Sequence, residues 1–192
     1  MRQLRLLIDI DGVLIPFPDP DGSAPAGHVH HHVVPSGRDP SAPVPIWLHP
    51  AHGPMLRAVT QTSRLAPRWC TSWRHDASRH IAPLLGLPPW PHLNLPRPQI
   101  NTSHPNGYLW KRDFVDAWLD DAPAIWIDDD FTALDRAWAT QRTAHGRPTL
   151  LVQPDPHIGL LPKHLTSVER WASGFDRTQA RSTRKPREYP VR

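Results

Sequence analysis

The sequence predicts an α/β domain, with a mostly parallel sheet between two layers of helices. Two observations carry this expectation. Short apolar runs alternate with amphipathic helical stripes along most of the chain. Three of the runs end on a polar residue, Asp9, Thr71 and Asp128, as expected where strand carboxyl ends line a ligand crevice. The length of 192 residues accommodates one domain with a sizeable core.

Leu4–Asp9 reads as a short buried strand, with Gly12 permitting a tight departure after it. Residues 14–50 form an insertion. The stretch Pro16–Pro54 holds ten of the chain's 25 prolines, so it should be loop-rich, with strands at His28–Val34 and Val44–Leu48. A helix is expected over His52–Leu65, with Met55, Leu56, Val59 and Ser63 along one side. Arg68–Thr71 is the next strand. Asp76–Leu85 has helical spacing at Ala77, Ile81, Leu84 and Leu85, although Pro83 disturbs its end. Pro83–Pro105 holds seven more prolines and one short strand at His92–Leu95.

Trp110, Phe114, Val115, Trp118 and Leu119 then form a helical stripe. Ala124–Ile127 is a strand, Phe131–Thr143 a helix and Thr149–Val152 a strand. Pro162–Ser173 is the last helix, with Pro162 in its first turn and Gly174 as its C-cap. Residues 176–192 lack apolar periodicity and are expected to be disordered. That tail has six basic and two acidic residues, which equals the chain's whole net charge of +4. The domain at 1–175 is therefore formally neutral, and the high pI is weak grounds for a nucleic-acid-binding body.

The single cysteine, Cys70, excludes an intrachain disulfide and fits a reducing compartment. It should be a small buried residue. No run reaches the ~18 apolar residues of a membrane span. Asp9 and Asp11 interrupt the first apolar run too early for a signal peptide. A cytoplasmic protein without membrane contact is expected.

The central anomaly is a pair of carboxylates in "LLIDIDGVLI". Unpaired buried carboxylates are costly. Asp9 and Asp11, two residues apart, share a side of an extended chain. Asp128 and Asp129 end a second strand, so Asp9, Asp11, Asp128 and Asp129 are expected together to ligate a hard cation, and oxygen-only ligands select Mg²⁺. Asp9 is a candidate nucleophile and Asp11 a candidate proton donor and base. Thr71, or its neighbour Ser72, offers a hydroxyl for phosphate. Lys111 is one of only three lysines among many arginines, which points to a need for a compact charge.

At these residues the chain resembles a known family. "DIDGV" (Asp9–Val13), "WCTSW" (Trp69–Trp73), Lys111 in "LWKRD" and "IWIDDD" (Ile125–Asp130) resemble, in order, the four motifs of the haloacid dehalogenase superfamily of phosphohydrolases. More narrowly, "WCTSWRHDASRHIAPLLGLP", "WIDDD" and "PTLLVQPDPHIGLLPKHL" resemble the small bacterial domains of this type associated with Swiss-Army-knife RNA repair proteins. The resemblance implies a Rossmann-like three-layer core; the long insertion at about 14–50, directly after the first strand, reads as a flap, and too little chain separates Thr71 from Lys111 for a large cap. The resemblance also implies a Mg²⁺-dependent phosphoric monoester hydrolase with Asp9 as nucleophile and Asp11 as acid and base. Thr71 would bind phosphate, Lys111 would stabilise the phospho-enzyme, and Asp128 and Asp129 would serve the metal. The narrower match implies phosphorylated RNA or DNA ends as substrate. A small-metabolite phosphatase and a catalytically silent module that grips phosphate and Mg²⁺ are the alternatives.

Other features have plainer readings. Asp128–Asp130 suit helix N-capping, Asp130 above all. "HVHHHV" at His28–Val33 reads as an exposed flap strand rather than a metal site. Trp110, Trp118, Trp138 and Trp171 fit the core, whereas Trp73 and Trp90 lie near site loops, where they could stack on a base.

Overall fold

The computed structural model describes residues 3–18, 21–96 and 104–182. Four strands form a parallel sheet: β1 (Arg5–Ile8), β4 (Ala66–Trp69), β5 (Ala124–Ile127) and β6 (Thr149–Val152), in the order β4-β1-β5-β6. The register aligns their ends: Ile8 lies opposite both Trp69 and Ile127, and Ile127 opposite Val152. The residues that follow, Asp9, Cys70 and Asp128, therefore emerge side by side. Their backbone N–H groups still donate to Ile127, Ile8 and Val152 respectively. The chain leaves β1 toward β4 but leaves β5 toward β6, so the crossovers diverge between β1 and β5. Ligand crevices of open α/β sheets lie at such a switch point.

Helices cover both faces. Strand side chains alternate in direction. Leu6, Ile8, Ile125 and Ile127 meet Leu56 and Val59 of α1 (His52–Thr62) and Leu165 and Val168 of α5 (Pro162–Ser182). Leu7, Ala124 and Trp126 meet Val115 and Leu119 of α3 (Arg112–Leu119) and Trp138 of α4 (Ala133–Ala144). Pro67 is tolerated in β4 because that strand is an edge. Among the described residues no helix is long and apolar enough to cross a membrane.

The insertion is folded onto this body. β2 (Val29–Val33) and β3 (Val44–Leu48) pair antiparallel, apart from the main sheet. Val33, Ile46 and Leu48 bury into the core beside α1, while His30 and His32 stay exposed. Trp47 Nε1 donates to the Pro16 carbonyl at 2.8 Å. Ser36, between the two strands, donates to the Asp76 carboxylate through its backbone N–H (2.8 Å) and hydroxyl (2.7 Å).

Several elements depart from expectation. The helix expected over Asp76–Leu85 is a π-helical turn at Ala77–Ile81 followed by α2 (Ala82–Leu84). Pro83 has no N–H to donate and its ring crowds the carbonyl four residues back, and the wider turn relieves both. His92–Leu95 is not a strand; only His92 bridges to Trp69, with Pro91 and Pro96 bounding the segment. In α3 the helix starts at Arg112, and Phe114 is exposed rather than on the buried stripe. Gly174 does not end α5. The helix continues to Ser182 because Trp171 and Phe175 stack at 6.0 Å against the core, which offsets the ~1 kcal/mol cost of a helical glycine. The first residues of the expected disordered tail are thus helical, and 183–192 lie outside the described residues.

The Ser36–Asp76 contact yields a pH prediction. Burial pushes the Asp76 carboxyl up, but the two Ser36 hydrogen bonds, with His75 and His80 nearby, outweigh it and hold it below its ordinary value of 3.8. The native state therefore binds this proton less readily than the unfolded chain. The stabilisation is fully present above that ordinary value and is lost as pH falls through the lower folded one. Asp76→Asn should cost about 1.5–3 kcal/mol at neutral pH. Denaturant midpoints should show that gap flat above pH ~5 and shrinking toward strong acid.

Candidate active site

Asp9 is buried just beyond β1. Its Oδ1 accepts the Ile10 N–H at 2.7 Å, which sets the rotation of the carboxylate. Its Oδ2 accepts from the Lys111 ammonium. Lys111, immediately before α3, is 4 % exposed and also donates to Asp128 Oδ2 at 2.8 Å. One ammonium thus bridges the residues that end β1 and β5, across the switch point. Asp128 is fully buried, and its Oδ1 accepts the Asp130 N–H at 3.3 Å.

Asp129 completes the cluster: Asp9, Asp128 and Asp129 offer carboxylate oxygens that all lie within 4.8 Å of one another. Gln153 holds the Asp129 backbone by donating to its carbonyl at 2.6 Å and is itself held by Arg136 at 2.8 Å. Gly12 makes room. Its φ is +70°, and a Cβ there would fall 2.2 Å from Asp129 Oδ2. Both the backbone angle and the carboxylate exclude a side chain. Gly12→Ala is expected to displace Asp129 and to weaken Mg²⁺ binding by about tenfold or more. Calorimetric titration of both proteins with MgCl₂ would measure it.

The electrostatics follow from burial. Burial raises the Asp128 carboxyl, with Asp9 reinforcing and Lys111 opposing the effect. Burial and Asp9 push Asp129 up to about 6. Burial lowers the Lys111 ammonium, but Asp128 and Asp9 outweigh it and hold it charged. With all three carboxylates ionised, one ammonium would leave the site negative, and the raised Asp128 and Asp129 show how burial and mutual repulsion resist that state. An all-oxygen donor set with residual negative charge fits a hard divalent cation such as Mg²⁺.

Asp11 behaves differently. Its carboxylate is half-buried and accepts from Trp73 Nε1 at 2.9 and 3.1 Å and from the Ser72 hydroxyl at 3.3 Å. Its side chain does not join the three converging carboxylates, so the expectation of Asp11 as a carboxylate ligand is not met by this geometry. Burial and the nearby Asp9 charge raise its pKa. Thr71 is fully buried with its hydroxyl facing the Trp73 N–H at 3.4 Å, whereas Ser72 is exposed.

Three further readings are revised. Asp130 does not cap α4. Thr132 does, in a capping box with Asp135. Trp73 orients Asp11 through its indole N–H, a role its place two residues after Thr71 did not reveal. Trp90 is buried against Trp69 at 5.0 Å and is remote in role from the site. Cys70 is buried, and burial pushes its thiol well above the ordinary value, which keeps it inert.

Fold and site together define a parallel α/β protein with an acid–lysine cluster at the switch point of its sheet. Comparisons with protein-family models, curated proteins and solved structures find no match.

Proposed function

We propose that this protein is a Mg²⁺-dependent phosphomonoesterase of the haloacid dehalogenase type. The observation that carries this reading is the Lys111 bridge between Asp9 and Asp128 at the switch point. In the proposed reaction an Asp9 oxygen attacks phosphorus, forming an aspartyl-phosphate as the ester P–O bond breaks. The leaving oxygen takes the proton of Asp11, whose raised pKa suits a donor. Asp11 then deprotonates a water that attacks phosphorus, which releases phosphate and restores Asp9. Lys111 holds Asp9 in place and balances charge on the phospho-enzyme. Asp9, Asp128 and Asp129 would hold Mg²⁺, which supplies neutralising charge for the phosphoryl oxygens. Ser72, exposed beside Asp11, and Thr71 offer hydroxyls for those oxygens.

The substrate class we favour is a phosphorylated RNA or DNA end, in a reducing, cytoplasmic setting. The narrower motif resemblance supports the first, and the buried free thiol of Cys70 accords with the second. The test is phosphate release from a panel of 3′- and 5′-phosphorylated oligonucleotides, mononucleotides, sugar phosphates and an aryl phosphate, with MgCl₂ or with EDTA. Mg²⁺-dependent release from oligonucleotide ends is the expected result. Release confined to sugar phosphates or mononucleotides would replace the substrate class with small metabolites. No release from any member would favour a silent phosphate-binding module.

A further inference from the structure

Away from the carboxylate cluster, four of the chain's 13 histidines line one cavity of about 490 Å³: His28, His49, His52 and His157, with Met55 and Leu160. Among the described residues no carboxylate, ammonium or guanidinium group lines it. Ring centroids are 5.3 Å apart for His28–His49, 5.3 Å for His49–His52 and 6.0 Å for His28–His52.

Backbone carbonyls fix two of the tautomers. His28 Nδ1 lies 3.1 Å from the Pro25 oxygen, and His52 Nε2 lies 2.9 Å from the Leu160 oxygen. A carbonyl only accepts, so those nitrogens carry the protons and the opposite nitrogens carry lone pairs. His28 Nε2 and His52 Nδ1 are both buried without a hydrogen-bond partner. His52 is only 3 % exposed. Buried polar atoms normally have partners. Two orphaned lone pairs from neighbouring rings in one cavity lack an electron-pair acceptor.

We propose that His28, His49 and His52 bind a borderline divalent cation of the Zn²⁺ class. Imidazole donors without carboxylates select Zn²⁺, Cu²⁺ or Ni²⁺ over Mg²⁺ and Ca²⁺. A metal–nitrogen distance of about 2.0–2.1 Å places tetrahedrally arranged ring centroids roughly 5.2 Å apart. Two of the observed centroid separations match, but among the described residues the three rings' nitrogens do not all lie within 4.8 Å of one another, so the rings must also turn for their lone pairs to converge on one ion. His49 is the ligand that must change its hydrogen bond. Its Nδ1 now accepts the Ala51 N–H at 3.2 Å. Turning the ring shifts that lone pair from the N–H to the ion, with the proton kept on Nε2. Burial holds His52 neutral down to about pH 4 and also lowers His28, which keeps both rings ready as ligands. His28 precedes β2, His49 follows β3 and His52 opens α1. The ion would clamp both ends of the hairpin to the body, and the cavity leaves its fourth position to water.

The test titrates the full chain with Co²⁺ in excess Mg²⁺, which keeps the carboxylate cluster occupied. The expected result is one Co²⁺ per chain with intense tetrahedral visible absorption that Zn²⁺ displaces. Half-buried His28 and His49 tolerate change better than His52. His28→Gln and His49→Gln should each weaken the ion by more than the ~10–100-fold typical of residues behind the ligands. Asp9→Asn should leave the spectrum intact. Absence of the absorption, its persistence in the histidine variants, or its loss in Asp9→Asn would overturn the proposal. The spectral readout stands apart from phosphatase activity, so either assignment can fail alone.

Discussion

Asp9→Asn is expected to lower Mg²⁺-dependent phosphate release by at least about 10³-fold while the protein stays folded. The amide has the shape of the carboxylate, so its oxygen can still accept the Ile10 N–H that fixes the side chain. It has no anionic oxygen to attack phosphorus. Lys111 keeps one carboxylate partner, Asp128 at 2.8 Å, so the loss should fall on catalysis rather than on folding. Thermal unfolding beside steady-state kinetics separates the two. Near-wild-type activity in a folded Asp9→Asn protein would remove Asp9 from the role of nucleophile.

Lys111→Met should act on both activity and stability. The methionine fits the aliphatic path of the lysine but leaves Asp9 and Asp128 buried without the ammonium between them. Removing one partner of a buried ionic cluster costs about 3–5 kcal/mol. The loss should depend on pH in a definite direction. Asp128 is already raised by burial against the pull of Lys111, so without that pull its folded-state pKa rises further. The native state then holds a proton that the unfolded chain releases above its ordinary value of 3.8. The variant should therefore be most stable in acid and should lose stability as pH climbs from there. If the carboxylates hold Mg²⁺ as proposed, added MgCl₂ should restore part of the loss at neutral pH, because a ligand of the folded state alone stabilises it. Urea midpoints against pH, with and without MgCl₂, would show both effects. A variant as stable as the parent across pH would mean that the cluster is not electrostatically coupled as the geometry requires.

Much of the fold was legible because punctuation and periodicity agreed. The limits of β3, β5 and β6 are those read from the sequence, and Pro43, Pro123 and Pro148 stand immediately before them. The end of α5 was not legible. Gly174 is a local stop signal, and what overrides it is packing of Phe175 beside Trp171, a tertiary fact. The π-turn before Pro83 is similar: the proline announced trouble but not how the backbone would accommodate it.

The site divides along the same line. Asp9, Asp128 and Asp129 are legible by residue type and position at strand ends, which the sheet register brings together, and Lys111 by the rarity of lysine in the chain. The direction of Asp11 depends on the indole of Trp73, 62 residues away in the chain. Gly12 read as a turn residue, but the Asp129 carboxylate packed over its Cα required the two strand ends to be adjacent. The histidine cavity is not legible in the sequence, where the repeated histidines of β2 carry the visible signal. The structure instead joins His28 to His49 and His52 from beyond that strand.

The most direct test of the central claim is chemical trapping of the intermediate. The protein would be mixed with an aryl phosphate and MgCl₂, quenched within a turnover, treated with borohydride and mapped by peptide mass spectrometry. An acyl phosphate at Asp9 is reduced to homoserine, so the predicted result is homoserine at position 9, present only with both substrate and Mg²⁺. Phosphate release with an unmodified Asp9, or with the reduced residue elsewhere, would contradict the account.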